Sequence, residues 1–415
     1  MKSGSIDRRL LTILLVVFVQ MLGASLIFPV LPLYAQREFH LSAELITLLS
    51  ASFFAAQFLS GPYVGRLSDN YGRIPVLIVS QVGTVISFVI LAFAPSFGWL
   101  FFARILDGIT GGNIIVAQAY ITDITPREKR TESLGYILAA FGLGFMFGPA
   151  LGGALAAAYG PAVPFLVAAV AAAAVVLLTW YALDETLSAQ ERRRARARRA
   201  GSLTLGSLLG GAPWALPLLA VLLIAFLGQF ALGLLQSTFA LFGEAVLFQG
   251  ESREVTDVGI GLLLSVVGIS QLFTQTYLLR RMAQRFDEGQ LVVMGSILRT
   301  IGMTVYALVT TPWLGAFGSL FFAVGYGLSS PPLQSMATSL VADQDRGSVL
   351  GWFQSSINLS TIISTAIAGV LFARGPTVPY WIGAATSALV VLAMIGMMRW
   401  MPGKSLRASE TQSAP

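Results

Sequence analysis

Few side chains in this 415-residue chain can do chemistry. It has no cysteine and one histidine, His40. There is thus no thiolate nucleophile, disulfide framework or cysteine metal site, and little material for a zinc centre or a histidine-based triad. What remains is a handful of carboxylates and guanidiniums inside long apolar runs, where charge is costly and normally faces a cavity or a partner. In the run 99–120, Arg104 and Asp107 stand one helical turn apart and can pair. At 100° per residue Asp107, Gly111 and Gln118 share a face, with Asn113 off it. Two chemistries fit: a structural ion pair, or a polar proton-binding site with Asp107 as the acid. A third charge, Arg299, lies near the middle of a later run and has no acidic partner in sight.

A second constellation lies between two runs, in Gly65-Arg-Leu-Ser-Asp69-Asn-Tyr-Gly72-Arg73. Glycines suit a tight turn. Asp69 can pair with Arg66 or Arg73, or sit at the positive N-terminus of a neighbouring helix. Either would make a conformational clasp, and a solvated loop is the plain alternative. Uncharged groups follow. Gln20 lies in the first run; Phe53, Phe54, Gln57 and Phe58 form an aromatic wall in the second. Gln229, Gly233 and Gln236 share a face, as do Gln271 and Gln275, and Gln354, Asn358, Thr361 and Thr365 form a stripe. Hydrogen bonding between helices explains such amides as readily as a cavity lining does. In Gly144-Phe-Met-Phe-Gly148-Pro149-Ala-Leu-Gly152-Gly153, small residues at i, i+4 spacing allow close helix packing and the proline bends the run.

The elements that must position these groups are membrane spans. The chain is 55% hydrophobic and 11% charged, with a mean hydropathy of +0.76, where a soluble chain would carry about a quarter charged residues. Runs of about 20 apolar residues cross a bilayer as helices. The sequence predicts twelve, at 10–35, 45–64, 75–94, 99–120, 132–158, 162–183, 213–242, 256–280, 290–310, 313–340, 348–373 and 378–400. The first run leads on without a cleavage site, so no signal peptide is expected. With both termini inside, cytoplasmic segments carry 21 Lys and Arg against three outside, Arg37, Arg253 and Arg374. The basic stretch Arg192–Arg199 then reads as part of a cytoplasmic linker near lipid headgroups rather than a nucleic-acid site.

That linker, 184–212, separates two six-span halves, 1–183 and 213–400, with a cytoplasmic tail at 401–415. The halves look repeated. Phe101-Phe-Ala103 recurs as Phe321-Phe-Ala323 and Asp123 as Asp343; later Leu134-Gly-Tyr136 matches Leu350-Gly-Trp352 and Gly153 matches Gly369. Repeated halves with a site between them are a transporter architecture. The expected fold is therefore an all-α membrane protein of twelve transmembrane helices in two pseudo-symmetric six-helix halves.

The motifs carry a family resemblance. Gly65, Leu67, Asp69, Gly72 and Arg73 fit the loop 2–3 signature of the major facilitator superfamily, and Arg104 with Gly108 resembles its span 4 signature. The run from Gly108 to Asp123 looks like the tetracycline and multidrug proton-antiporter branch. Gly144, Gly148, Pro149, Gly152 and Gly153 match that branch's antiporter signature. The resemblance implies a secondary transporter, export rather than uptake, and proton coupling associated with Arg104. Gln20-Met-Leu-Gly23 departs from it, because tetracycline exporters usually carry aspartate where Gln20 stands, and an amide cannot exchange a proton near neutral pH.

The reading that follows is a proton-coupled exporter of amphipathic drugs or lipophilic metabolites, working by rocker-switch alternating access in the inner membrane. Its partners are a small organic substrate, protons and membrane lipid; no cofactor, metal or nucleic acid is expected, and a monomer is. Asp107, Arg104 and Asp69 are the proton-coupling candidates. The cavity candidates are Gln20, Phe54, Gln57, Phe58, Gln118, Gln229, Gln236, Gln271, Gln275, Gln354 and Asn358. The alternatives are a lipid or glycolipid flippase, a facilitator without proton coupling, and a non-transporting sensor. An enzyme is excluded for want of a catalytic cluster.

Overall fold

The computed structural model describes residues 8–111, 113–125, 130–186, 214–341 and 345–400. Positions 187–212 of the linker, residue 213, the tail from 401, Gly112, Arg127, Lys129 and Asp343 lie outside the described residues.

Among the described residues every long element is a helix, as bilayer physics requires of an apolar chain that must satisfy its own backbone. The helices are α1 (Arg8–Phe39), α2 (Ala43–Tyr71), α3 (Arg73–Ala92), α4 (Phe97–Ile124), α5 (Arg130–Tyr159), α6 (Ala162–Ala182), α7 (Ala215–Leu247), α8 (Arg253–Met282), α9 (Glu288–Leu308), α10 (Pro312–Ser339), α11 (Arg346–Arg374) and α12 (Val378–Trp400). Eleven of these are long and apolar enough to cross a membrane; α10 matches them in length but is diluted by glycine, serine and a proline pair. Both α7 and α8 contain a π turn, at Gly243–Leu247 and Thr274–Leu278.

Local signals set several ends. Gly72, at φ 109°, separates α2 from α3, a conformation in which a Cβ would be strained. The sequence reading placed a turn at Gly65 as well; instead α2 continues helically through it. Nothing interrupts the 3.6-residue repeat there, and a Cβ at Gly65 would find open space. The side chain of Gln290 accepts a hydrogen bond from the Asp287 amide (3.1 Å) in a capping box at the start of α9.

The chain divides into two compact units. Residues 1–199 and 239–269 form unit 1; residues 200–238 and 270–415 form unit 2. Unit 1 has a core of Ile13, Val16, Val17, Leu77, Val116 and Tyr120. The core of unit 2 gathers Leu218, Val221, Val292, Met336, Val349 and Met394. The opposite helix faces expose large apolar side chains such as Leu59, Val79, Val170 and Leu392, as lipid-facing surfaces do.

Candidate functional site

The clasp forms around Arg73, whose own position at the first residue of α3 follows from the turn at Gly72. Its Nη1 donates to Asp69 Oδ1 (2.6 Å) and Ser68 Oγ (2.7 Å), and its Nε to Asp123 Oδ2 (2.9 Å) at the end of α4. Asp123 also accepts from Thr186 Oγ1 (3.1 Å). Glu185, just beyond α6, accepts the amides of Arg73 (3.0 Å) and Ile74 (3.1 Å), two of the unsatisfied donors that open α3. Asp69 thus pairs with Arg73, and the carboxylate at the helix N-terminus is Glu185. Arg66 takes no part: it lies over Tyr63, 5.9 Å from the ring centre. In the sequence Asp123 marks the repeat and closes the antiporter-like run but has no assigned partner. Glu185 carries no signal of its role there beyond an acidic pair, Asp184-Glu185, on a face otherwise rich in arginine.

In α4, Arg104 Nη1 and Asp107 Oδ2 pair at 2.9 Å, with only 12% and 9% of their side chains exposed. Arg104 lies over Phe53 of α2, 4.1 Å from the ring centre, and its Nε has no hydrogen-bond acceptor. The pair can sit this deep because α2 and α4 nearly touch. A Cβ at Gly108 would strike the Phe53 carbonyl and Ala56. Ser60 Oγ donates to the Gly108 carbonyl (3.3 Å), and Gln57 Nε2 to the Gly111 carbonyl (3.2 Å). Phe54 packs edge-on to Phe53, with ring centres 5.2 Å apart. Arg104, Asp107, Phe53, Phe54 and Gln57 are therefore brought together, while Gln118 is exposed further along α4 and Gln20 and Phe58 are half-buried elsewhere in unit 1. Asn113, off the Asp107 face, is buried nonetheless, at 4% exposure.

The small-residue ridge of α5 serves two neighbours. Gly144, Gly148 and Gly152 lie against Met21, Ser25 and Leu26 of α1, so close that a Cβ on any of the three would collide. Ser25 Oγ donates to the Gly144 carbonyl at 2.8 Å. The other side meets α8: Gly261 packs on the Pro149 carbonyl and Gly268 on Phe145 and Met146. Pro149 offers no amide to the Phe145 carbonyl, and the next amide, that of Ala150, donates across to Ser265 Oγ (3.1 Å). In the last turn of α1, Arg37 binds two carboxylates that the sequence reading did not connect to it, Glu244 (2.7 Å) and Asp257 (2.8 Å). It borders a cavity of about 200 Å³ with Tyr34, Glu38, Arg253 and Glu254.

Unit 2 holds the amide network. Gln229 Nε2 donates to Thr361 Oγ1 (3.0 Å) and its Oε1 accepts from the Tyr326 hydroxyl (3.4 Å). Gln354 Nε2 donates to Asn358 Oδ1 (3.0 Å) on α11. Gln236, Gln271 and Gln275 are half-buried. Arg299, 3% exposed, donates to the Gly228 carbonyl and faces the rings of Phe322 (5.5 Å) and Tyr326 (5.7 Å).

The profile of the Major Facilitator Superfamily matches residues 13–249 and 237–414. The class C tetracycline resistance protein of Escherichia coli is 30% identical over 99% of this chain and 100% of its own length. Multidrug resistance protein 2 of Bacillus subtilis is 26% identical over 90% of this chain and 91% of its own. Among solved structures, a D-xylose–proton symporter shares the fold, with a TM-score of 0.75, 16% identity and coverage of 96% of this chain and 99% of its own. The chain is therefore a multi-pass membrane transporter rather than an enzyme, and it belongs to the Major Facilitator Superfamily.

Proposed function

We propose that this transporter is a proton-coupled exporter of amphipathic organic compounds, with Asp107 as the group that exchanges the proton. The observation that carries the reading is the Arg104–Asp107 pair. It is an acid buried in mid-span, held by a guanidinium that has an aromatic face on one side and an unused N–H on the other. Protonating Asp107 removes the charge that holds Arg104, so proton occupancy and side-chain arrangement are linked. Relatives that are tetracycline and multidrug resistance proteins support export as the direction and drug-like organic compounds as the substrate class. Phe54, Gln57 and Phe58, with Gln20 and Gln118 and the unit 2 amides Gln229, Gln236, Gln271, Gln275, Gln354 and Asn358, line the route by apolar contact and hydrogen bonds. The chain works as a monomer in the inner membrane. Its six-helix halves, 1–183 and 213–400, rock about a central site, the linker 184–212 and tail 401–415 lie in the cytoplasm, and the Asp69–Arg73 clasp and the α5 glycine ridge set the balance of states.

The test is transport in proteoliposomes with an imposed pH gradient and a panel of drugs and lipids. Asp107→Asn should abolish transport driven by the gradient and keep substrate-for-substrate exchange. Substrate-induced proton release that persists undiminished in Asp107→Asn would reduce the pair to a structural one. Gln20, standing where the resembled exporters usually carry aspartate, supports a second reading as a facilitator without proton coupling. In that case the pH gradient would have no effect on the parent protein either.

A further inference from the structure

Arg299 sits 11 residues into α9, about 16 Å along the helix axis from Glu288. The described acidic residues of unit 2 are Asp287, Glu288 and Asp345, all at or beside helix starts, and none pairs with it. A buried cation without a counter-charge is among the most expensive arrangements in a membrane span, costing about 3 kcal/mol or more. The Gly228 carbonyl and the rings of Phe322 and Tyr326 offset part of this with dipoles and quadrupoles, but they leave the net charge in place.

What surrounds Arg299 is a set of donors short of acceptors. Its Nε–H has no acceptor, and neither does the hydroxyl of Ser296, fully buried one turn earlier on the same face. Ser329 and Ser330 of α10 and Gln229 of α7 line the same cavity, together with apolar Ile224, Val292 and Leu333. The cavity is about 20 Å³, lies wholly within unit 2 and is walled by α7, α9, α10, α11 and α12. That volume admits one water-sized particle (a site needs roughly 10–15 Å³), whereas an organic ligand of drug size needs about 300 Å³ or more. Water would satisfy the orphan N–H and O–H but not the charge. A monatomic anion would do both.

We infer that Arg299 Nε and Ser296 Oγ form a binding site for a single small inorganic anion of halide size, inside unit 2 and separate from the Arg104–Asp107 pair. The ion would be a structural counter-charge that keeps α9 and α10 packed at their Gly295–Gly325 crossing, where Arg299 itself lies against Gly325.

The experiment is thermal unfolding of the purified protein, followed by circular dichroism, at constant ionic strength with gluconate replaced stepwise by chloride or bromide. The expected result is a saturable rise in Tm with halide. Arg299→Met should lose that dependence altogether, and Ser296→Ala should weaken the half-saturating concentration about tenfold, the value of one hydrogen bond to a charged group. Crystals grown in bromide should show an anomalous peak beside Arg299 Nε. If Arg299→Met fails to fold, the Ser296→Ala shift and the bromide peak decide. A Tm indifferent to halide, or a halide response unchanged in both variants, overturns the inference. Protection by organic carboxylates but not by halides does so too, because the site would then belong to a transported anion.

Discussion

At the residue scale the clasp is a small network whose members are unequal. Asp69 is half exposed, and its ion pair with Arg73 is of the surface kind, worth about 1 kcal/mol or less. Asp69→Asn should therefore leave folding intact and change instead the accessibility of cavity positions from the two sides of the membrane. Arg73→Ala removes the buried donor shared by Asp69, Ser68 and Asp123, three hydrogen bonds at once, at a cost of about 1.5–3 kcal/mol. Thermal unfolding should rank the two variants in that order; equal losses would mean that the network does not centre on Arg73. The same reasoning applies to coupling. In an Asp107→Asn background, Gln20→Asp returns a carboxylate to α1, and some gradient-driven transport should reappear. If none does, α1 is not on the proton route.

At the element scale, two glycines of recognised motifs behave oppositely. Gly65 lies inside α2 with open space around it, so Gly65→Ala should be neutral or stabilise by about 0.5–1 kcal/mol. Gly148 faces Ser25, whose hydroxyl is already tied to the Gly144 carbonyl, so Gly148→Ala must push α1 from α5, at a cost of about 1–3 kcal/mol. A Tm comparison of the two variants checks both. Most spans were legible because they are apolar runs of bilayer length, in which isolated charges such as Arg104, Asp107 and Arg299 are too few to hide the run. The predicted 290–310 and 378–400, for example, appear as Glu288–Leu308 and Val378–Trp400. The Arg104–Asp107 pair was legible because both partners sit on one helical turn. Glu185 and the Arg37 carboxylates were not, because their partners lie 112, 207 and 220 residues away in sequence and no local period records a contact between helices. The Gly65 turn was misplaced because a glycine signals permission to turn, and in this loop only Gly72 uses it.

At the scale of the whole molecule, the charge asymmetry predicts an orientation that single cysteines can read, since the chain has none of its own. Ser96 is exposed in the connection between α3 and α4, on the outside in the proposed topology. Ser96→Cys should react with an impermeant thiol reagent added to intact cells, and Ser202→Cys in the basic linker should react only after lysis. The reverse pattern would invert every inside and outside assignment. The bond from the Ala150 amide to Ser265 gives a different kind of access to the working protein. Its donor is in α5 and its acceptor in α8, so deuterium uptake at that single amide clocks how often the two helices part. Ser265→Ala should speed uptake at Ala150 while leaving the amides of α6 unchanged. In the intact protein, a substrate or pH jump that separates α5 from α8 becomes visible as isotope exchange at one position, with no label attached.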